Sequence, residues 1–290
     1  MSKALFILAF AASAILIAVP EPVPQFPIAS QRLTSSFGEY RNDHFHNGID
    51  VGGDQLPVHA MYPGEIVFYY DDVEDPTKMI TGTGNTVVLE HTNKVRTYYY
   101  HISSGSIQKK IARLTTNDVL ALTGNTGRSG GAHLHLTVED MDQNKAVDPL
   151  TLLPPIRDTV RPRIDGLYVK TDLKLQPLRN NFLIKNRGEM KFFLKAYDKT
   201  ENGYQTGLRR VRMYIDGQIV RDYDFSFLVK KKQEYCVAPG YPFDEVFGVD
   251  PYFYRGGTFT PTKYKHTFSA EVEDFFSNTT SYSATVVFRK

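Results

Sequence analysis

Cysteine is almost absent from the chain. Cys236 stands alone, which excludes an intrachain disulfide and leaves a hydrophobic core as the source of stability. An excess of charge of one sign is also missing: 34 Lys and Arg face 32 Asp and Glu, a net of +2. That balance gives no global attraction to nucleic acid or an acidic polymer. From Gln31 to Asp148 no segment shows a long amphipathic helical period, and no internal repeat is evident. The glycine-rich run from Thr123 to Gly131 lacks the lysine of a P-loop and precedes a strand-like segment instead of a helix, which argues against nucleotide binding. At 290 residues and 41% hydrophobic content the chain can hold two ordinary domains.

The amino terminus carries a strong signal. Lys3 precedes an apolar run from Ala4 to Val19 that ends at Pro20, the pattern of an export signal. Ala12-Ser13-Ala14 offers a small-x-small cleavage site, but cutting there leaves Ile15 to Val19 on the mature chain. The run of sixteen also approaches the lower limit for a spanning helix. Residues 1–20 are therefore expected to be a cleaved signal peptide, with an uncleaved anchor, tethering the chain to the membrane through residues 4–19, as the alternative. No cysteine lies nearby for lipid attachment, and either route places the chain in the periplasm or cell envelope. Residues 21–29, with prolines at 22, 24 and 27, read as an extended linker.

The rest reads as all-β. Strands are expected at Glu65 to Tyr70, Asn85 to Leu89 and Val95 to His101, and Asp148-Pro149 with Pro154-Pro155 marks the end of a first unit at 30–155. In residues 156–290, Val211, Met213 and Ile215 alternate with polar neighbours, and Asp216-Gly217 joins them to Gln218-Ile219-Val220 as a tight hairpin. Phe268, Ala270 and Val272, then Tyr282, Ala284, Val286 and Phe288, alternate in the same way. Several short alternating strands over such a length favour an immunoglobulin-like β-sandwich.

Chemistry concentrates in the first unit. His46-Asn47-Gly48-Ile49-Asp50, Tyr100-His101 and His133-Leu134-His135 follow one another in order. Residues at i and i+2 of a strand share a face, so His133 and His135 can converge on one point. A catalytic zinc takes three protein ligands and leaves one position for water, and two histidines with one aspartate meet that need.

These motifs resemble the LytM and lysostaphin-type zinc endopeptidases of family M23, which cut peptide bonds in bacterial cell walls. The resemblance runs from about Ser30 to Leu153. It includes Phe37-Gly38 and Arg41, Pro57-Val58-His59-Ala60, Gly64, Gly84-Asn85-Thr86-Val87-Val88-Leu89, His91, and Gly124-Asn125-Thr126-Gly127-Arg128-Ser129-Gly130. It implies a LytM-type β-sheet catalytic domain of the duplicated hybrid motif kind. It also implies one zinc ion held by His46, Asp50 and His135, and two unliganded catalytic histidines, His133 and His101. His133 is taken as the general base, while His101 holds the water or the developing oxyanion. The expected reaction is zinc-assisted hydrolysis of peptidoglycan stem peptides or crosslinks.

Other residues receive plainer readings. His44, His59, His91 and His266 are expected to be surface or packed residues, His91 with some claim to the site because it ends a strand-like run. Asp43, Asp54, Asp71 and Asp72 read as solvated loop carboxylates. Two other functions compete with the peptidase. A non-catalytic LytM-like wall-binding protein or amidase activator is expected to have lost ligands, and this chain has kept them. A phosphotransfer protein of similar β architecture fits neither the export signal nor an aspartate among the ligands.

Overall fold

The structure, a computed structural model, describes residues 23–75, 77, 81–109, 113–171, 174–185, 188–248 and 250–289. The apolar run Ala4 to Val19 lies outside the described residues. Of the expected linker, residues 25–28 are docked: the Gln25 amide donates to the Met61 carbonyl, Pro27 accepts from His59, and Ile28 is buried.

The three expected strands form as Gly64–Tyr70, Asn85–Glu90 and Val95–Ile102, paired antiparallel in that order. His133–Asp140 adds to the free edge of Val95–Ile102. Its other edge is divided, the first half pairing with Ile49–Gly52 and the second with Lys145–Val147. Leu134, Leu136 and Val138 are fully buried while His133 and His135 keep some exposure, so strand alternation sends the leucines into the core and both histidines to the opposite face.

The sheet continues beyond residue 155. Lys145–Val147 pairs with Gln218–Lys231 in the register Val147 to Phe227 and Ala146 to Leu228. From there the order runs through Arg210–Ile215, Lys265–Glu273, Thr279–Phe288 and Leu183–Ile184. Both halves of the chain thus share one ladder of backbone hydrogen bonds. Asp216 and Gly217 both adopt left-handed φ, +50° and +80°, and close the hairpin between Arg210–Ile215 and Gln218–Lys231 as expected.

A second sheet, built from Leu175–Pro177, Arg163–Lys170, Met190–Lys199 and Phe253–Phe259, packs face to face on these later strands. Phe268 sits between Phe192 and Phe259, with ring centroids 5.2 and 5.1 Å away. The carboxy-terminal half is therefore a two-layered β-sandwich, one layer of which is an extension of the first sheet. The only α-helix among the described residues is the single turn Phe243–Val246.

Candidate metal centre

Asp50 and His135 are register partners on neighbouring antiparallel strands, and Tyr100 is opposite His135 on the other side. Partners in register project from the same face, so pleating alone brings Asp50, His135 and Tyr100 together, with His133 two residues along. His46 arrives differently, at the end of a small hairpin formed by Tyr40–Arg41 and His44–Phe45. Two backbone bonds close that hairpin at its base: His46 donates to Glu39, and Gly38 donates to His46.

Three atoms meet at the centre. His46 Nε2 lies 3.2 Å from Asp50 Oδ1 and 3.2 Å from His135 Nδ1, and His135 Nδ1 lies 3.3 Å from Asp50 Oδ1. The His46 Nδ1 atom faces the Ser36 carbonyl at 2.7 Å, and a carbonyl only accepts, so Nδ1 carries the proton and Nε2 a lone pair. His135 Nε2 lies 2.9 Å from Thr137 Oγ1, which can take its proton and free Nδ1. Three electron-pair donors then face one another with no hydrogen between them, an arrangement that a shared cation resolves. Tetrahedral ligands about 2.0–2.2 Å from a zinc ion stand about 3.3–3.6 Å apart. The observed triangle fits that spacing.

The charges agree with this arrangement. Burial alone would raise the Asp50 carboxyl, but His46, followed by His135 and His133, holds it far below the ordinary carboxylate range. Burial, reinforced by neighbouring His46, pushes His135 well below the usual histidine value, favouring the neutral ring that a metal needs.

Two further histidines flank the triangle. His133 Nε2 is 3.6 Å from Asp50 Oδ1, and its Nδ1 faces the Gly131 carbonyl at 2.7 Å. His101 Nδ1 faces the Thr126 carbonyl at 2.8 Å, and its ring lies 4.8 Å from that of His133. Each carbonyl fixes the proton on Nδ1 and leaves Nε2 free to accept another. Burial lowers the His101 pKa, which favours the neutral ring with a lone pair on Nε2.

His101 follows Tyr100, so simple alternation would send it to the opposite face. Instead its φ is +60°, and the register between Asn85–Glu90 and Val95–Ile102 slips at this point. A β-bulge re-aims the side chain. Thr126, whose carbonyl receives His101, is gripped in turn: its hydroxyl donates to the Ile102 carbonyl and accepts from the Asn85 amide.

The remaining histidines lie elsewhere. His44 is exposed beside Asp43, and His266 is buried against Asp216. His91 is also packed away, its Nδ1 on the Pro63 carbonyl and its Nε2 on Thr97 Oγ1. Asp71 corrects an expectation: it is buried, not solvated, because its carboxylate accepts the Gly105 amide and meets Lys109 at 3.4 Å.

Behind the triangle, Arg41 belongs to the family pattern, but Glu39 and Ser36 were not anticipated. The Glu39 carboxylate accepts from the Ser36 amide at 2.6 Å and from Arg41 at 3.0 Å, and Arg41 reaches Asp50 Oδ2 at 3.4 Å. Ser36-Phe37-Gly38-Glu39 has the S-x-x-E spacing of a capping box, a signal present in the sequence, although here it closes a turn instead of a helix. Beside the hairpin, Phe45 and Asn47 line a cavity of about 560 Å³ with Glu234, Tyr235 and Phe243, so both halves of the chain wall this cavity.

Residues 44–149 match the model of peptidase family M23. The chain is 33% identical over 136 residues to the DD-carboxypeptidase/endopeptidase Mpg of Neisseria meningitidis, a match covering 44% of this chain and 29% of that protein. It is 31% identical over 122 residues to the peptidoglycan DD-endopeptidase ShyA of Vibrio cholerae, covering 38% and 26%. Among solved structures, a zinc-containing peptidase from Vibrio cholerae aligns at 26% identity over 41% of this chain and 37% of that one, with a TM-score of 0.34. The matches thus span less than a third of the length of these two sequence relatives.

Proposed function

Through residues 44–149 the chain belongs to peptidase family M23, and from that premise we propose that it is a zinc endopeptidase of the bacterial envelope, cleaving peptide bonds in peptidoglycan. The observation that carries this reading is the convergence of His46 Nε2, Asp50 Oδ1 and His135 Nδ1, at mutual distances of 3.2–3.3 Å, beside two histidines whose Nδ1 atoms face carbonyls and whose Nε2 atoms thus carry the lone pair. The substrate class rests on the names carried by Mpg and ShyA. Residues 1–20 serve in this reading as the export signal or as a tether.

His46, Asp50 and His135 would hold the zinc, which when bound acidifies water and polarises a carbonyl. His133 Nε2, next to Asp50, takes the proton of the attacking water and returns it to the leaving amide nitrogen. His101 Nε2 holds that water, or in its protonated state stabilises the oxyanion. The Gly131 and Thr126 carbonyls hold both rings in orientation throughout.

The test is mass spectrometry of muropeptides released from sacculi by the purified chain, together with its zinc content. Wild type should carry about one zinc and release cleaved crosslinks or shortened stems. His135→Ala should lose both zinc and activity. His133→Ala should keep zinc and lose on the order of a hundredfold in rate. Stoichiometric zinc in His135→Ala rejects the ligand set, and wild-type turnover in His133→Ala rejects the base.

A further inference from the structure

A second group of potential ligands lies away from the histidines, at the end of the sandwich that abuts the first half. Asp158 lies in the segment leading into Arg163–Lys170, Asp198 near the end of Met190–Lys199, and Asp274 just after Lys265–Glu273. One carboxylate oxygen from each lies within 4.8 Å of the others. Asp274 is fully buried and Asp198 is 2% exposed.

Hydrogen bonding leaves part of this cluster unsatisfied. Asp274 is well supplied, accepting from the amides of Phe276 and Asn278 and from the Asn278 side chain. Asp158 Oδ1 accepts from the Val160 amide. Asp158 Oδ2 and Asp198 Oδ1, however, are buried with no hydrogen-bond partner. Among the described residues no ion pair reaches any of the three, although Arg32 and Arg157 line the cavity beside Asp158; the charges that raise their carboxyls are other carboxylates, including Glu201 beside Asp158. Buried oxygens of like charge without a donor or counter-ion are costly unless something positive sits among them.

We propose that Asp158, Asp198 and Asp274 bind a calcium ion that fastens the segment joining the two halves to the sandwich. The donor set is all oxygen, which selects a hard cation over zinc. Oxygens on opposite sides of a calcium ion bound at about 2.3–2.6 Å are about 4.6–5.2 Å apart, so the three can share one ion. Magnesium demands a tighter octahedron and keeps several waters, which suits a buried cluster less well. In the absence of an ion the cluster stays protonated in part: burial, with Asp274 as a negative neighbour, raises the Asp198 carboxyl to about 7.

The position gives the ion a consequence. The cavity beside Asp158 is lined by Arg32 and Leu33 from the first half and by Thr200, Glu201 and Phe276 from the sandwich. An ion holding Asp158 therefore fixes how residues 154–162 leave the first half.

Equilibrium dialysis of the full, zinc-loaded chain against ⁴⁵Ca²⁺, in buffer stripped of other divalent ions, tests the proposal. One saturable site per chain is expected, with Kd at or below about 1 mM, the range of extracellular calcium modules. Asp198→Asn and Asp274→Asn should abolish it while retaining zinc, and His135→Ala should retain calcium while losing zinc. Wild-type Tm should rise with calcium chloride and respond far less to magnesium chloride. If either aspartate variant fails to fold, Asp158→Asn, in the more exposed joining segment, provides the same comparison. Absence of saturable wild-type binding, or calcium binding that survives all three substitutions, overturns the proposal. So does an Asp198→Asn chain that melts higher than a wild type indifferent to calcium, since the cluster would then be a shared-proton group.

Discussion

The backbone amide of Gly207 donates to Glu39 Oε1 at 3.1 Å and to Ser36 Oγ at 3.0 Å, across more than 160 residues of sequence. Glu39 then holds Arg41, which meets Asp50, while the Ser36 carbonyl holds the His46 ring. The sandwich half thereby reaches two of the three proposed zinc ligands through a single peptide group. A Cβ on Gly207 would stand 3.0 Å from Glu39 Cγ and 3.2 Å from Ser36 Oγ. Glu39→Gln and Gly207→Val should each weaken zinc binding by about 10- to 100-fold, the usual cost of disturbing groups that orient ligands. Competition with a zinc-sensitive dye checks this, and unchanged affinity in both variants would show that the link is only structural.

Removing the sandwich should have a larger effect. The Phe45 ring packs against Phe225, Phe243 and Phe247 at 5.2–6.2 Å, Gly38 lies directly under Phe225, and Lys145–Val147 pairs with Gln218–Lys231. A chain cut to residues 30–155 would expose an aromatic patch beside an unpaired strand edge, a combination that promotes aggregation. Size-exclusion chromatography should find it aggregated. A monomer with wild-type zinc affinity would establish that the first half is self-sufficient.

Gly84 offers a way to move one proposed catalytic histidine without touching a ligand. Its φ is +64°, and an added Cβ would lie 2.4 Å from the Thr126 carbonyl, whose oxygen receives the His101 Nδ1 proton. Gly84→Ala should displace that carbonyl, leave zinc content unchanged and lower the rate by roughly tenfold or more, within the range of a misplaced acid–base group. Loss of zinc along with rate would show that the disturbance spreads to the triangle.

His91 predicts a pH dependence of stability separate from the metal. Burial lowers its pKa below 6.5, so the folded state favours the neutral ring. This contribution is fully present above pH 6.5 and is lost as the pH falls through 6.5 towards the folded value, because the unfolded chain binds the proton more readily. The difference in urea midpoint between wild type and His91→Gln should shrink between pH 7.5 and 5.0. A constant difference would show that His91 remains unlinked to protons in this range.

The sequence made the strands and the convergence of the site legible to the extent that each depended on local pattern. His133 and His135 shared a face because alternation requires it, and the Asp216-Gly217 turn followed from left-handed propensities. Family pattern, not spacing, singled out His101, since its orientation depends on a bulge that the motif Tyr100-His101 does not encode locally. Glu39 carried a local signal in its spacing from Ser36, but its partner Gly207 is an unremarkable glycine until the chain has folded. Likewise, Asp148-Pro149 and Pro154-Pro155 read as the end of a unit, yet Lys145–Val147 just before them pairs with a strand of the second half. Whether a strand edge is left free or taken up by a distant strand is decided by tertiary pairing, to which composition and turn signals are blind.

Two kinds of fastening hold the histidine centre, and they differ in how freely they can vary. Asp50 and His135 are fixed by the backbone ladder, where moving either by one residue would reverse its face and disrupt the leucines behind it. His46 and His101 take their orientation from carbonyls in turns, those of Ser36 and Thr126, and His133, though its backbone is in the ladder, has its ring set by the Gly131 carbonyl. Turns tolerate insertion and substitution far better than paired strands do. Changes of reach or substrate preference among chains built this way should accumulate in those turns, around an Asp–His pair that sheet pairing keeps in place.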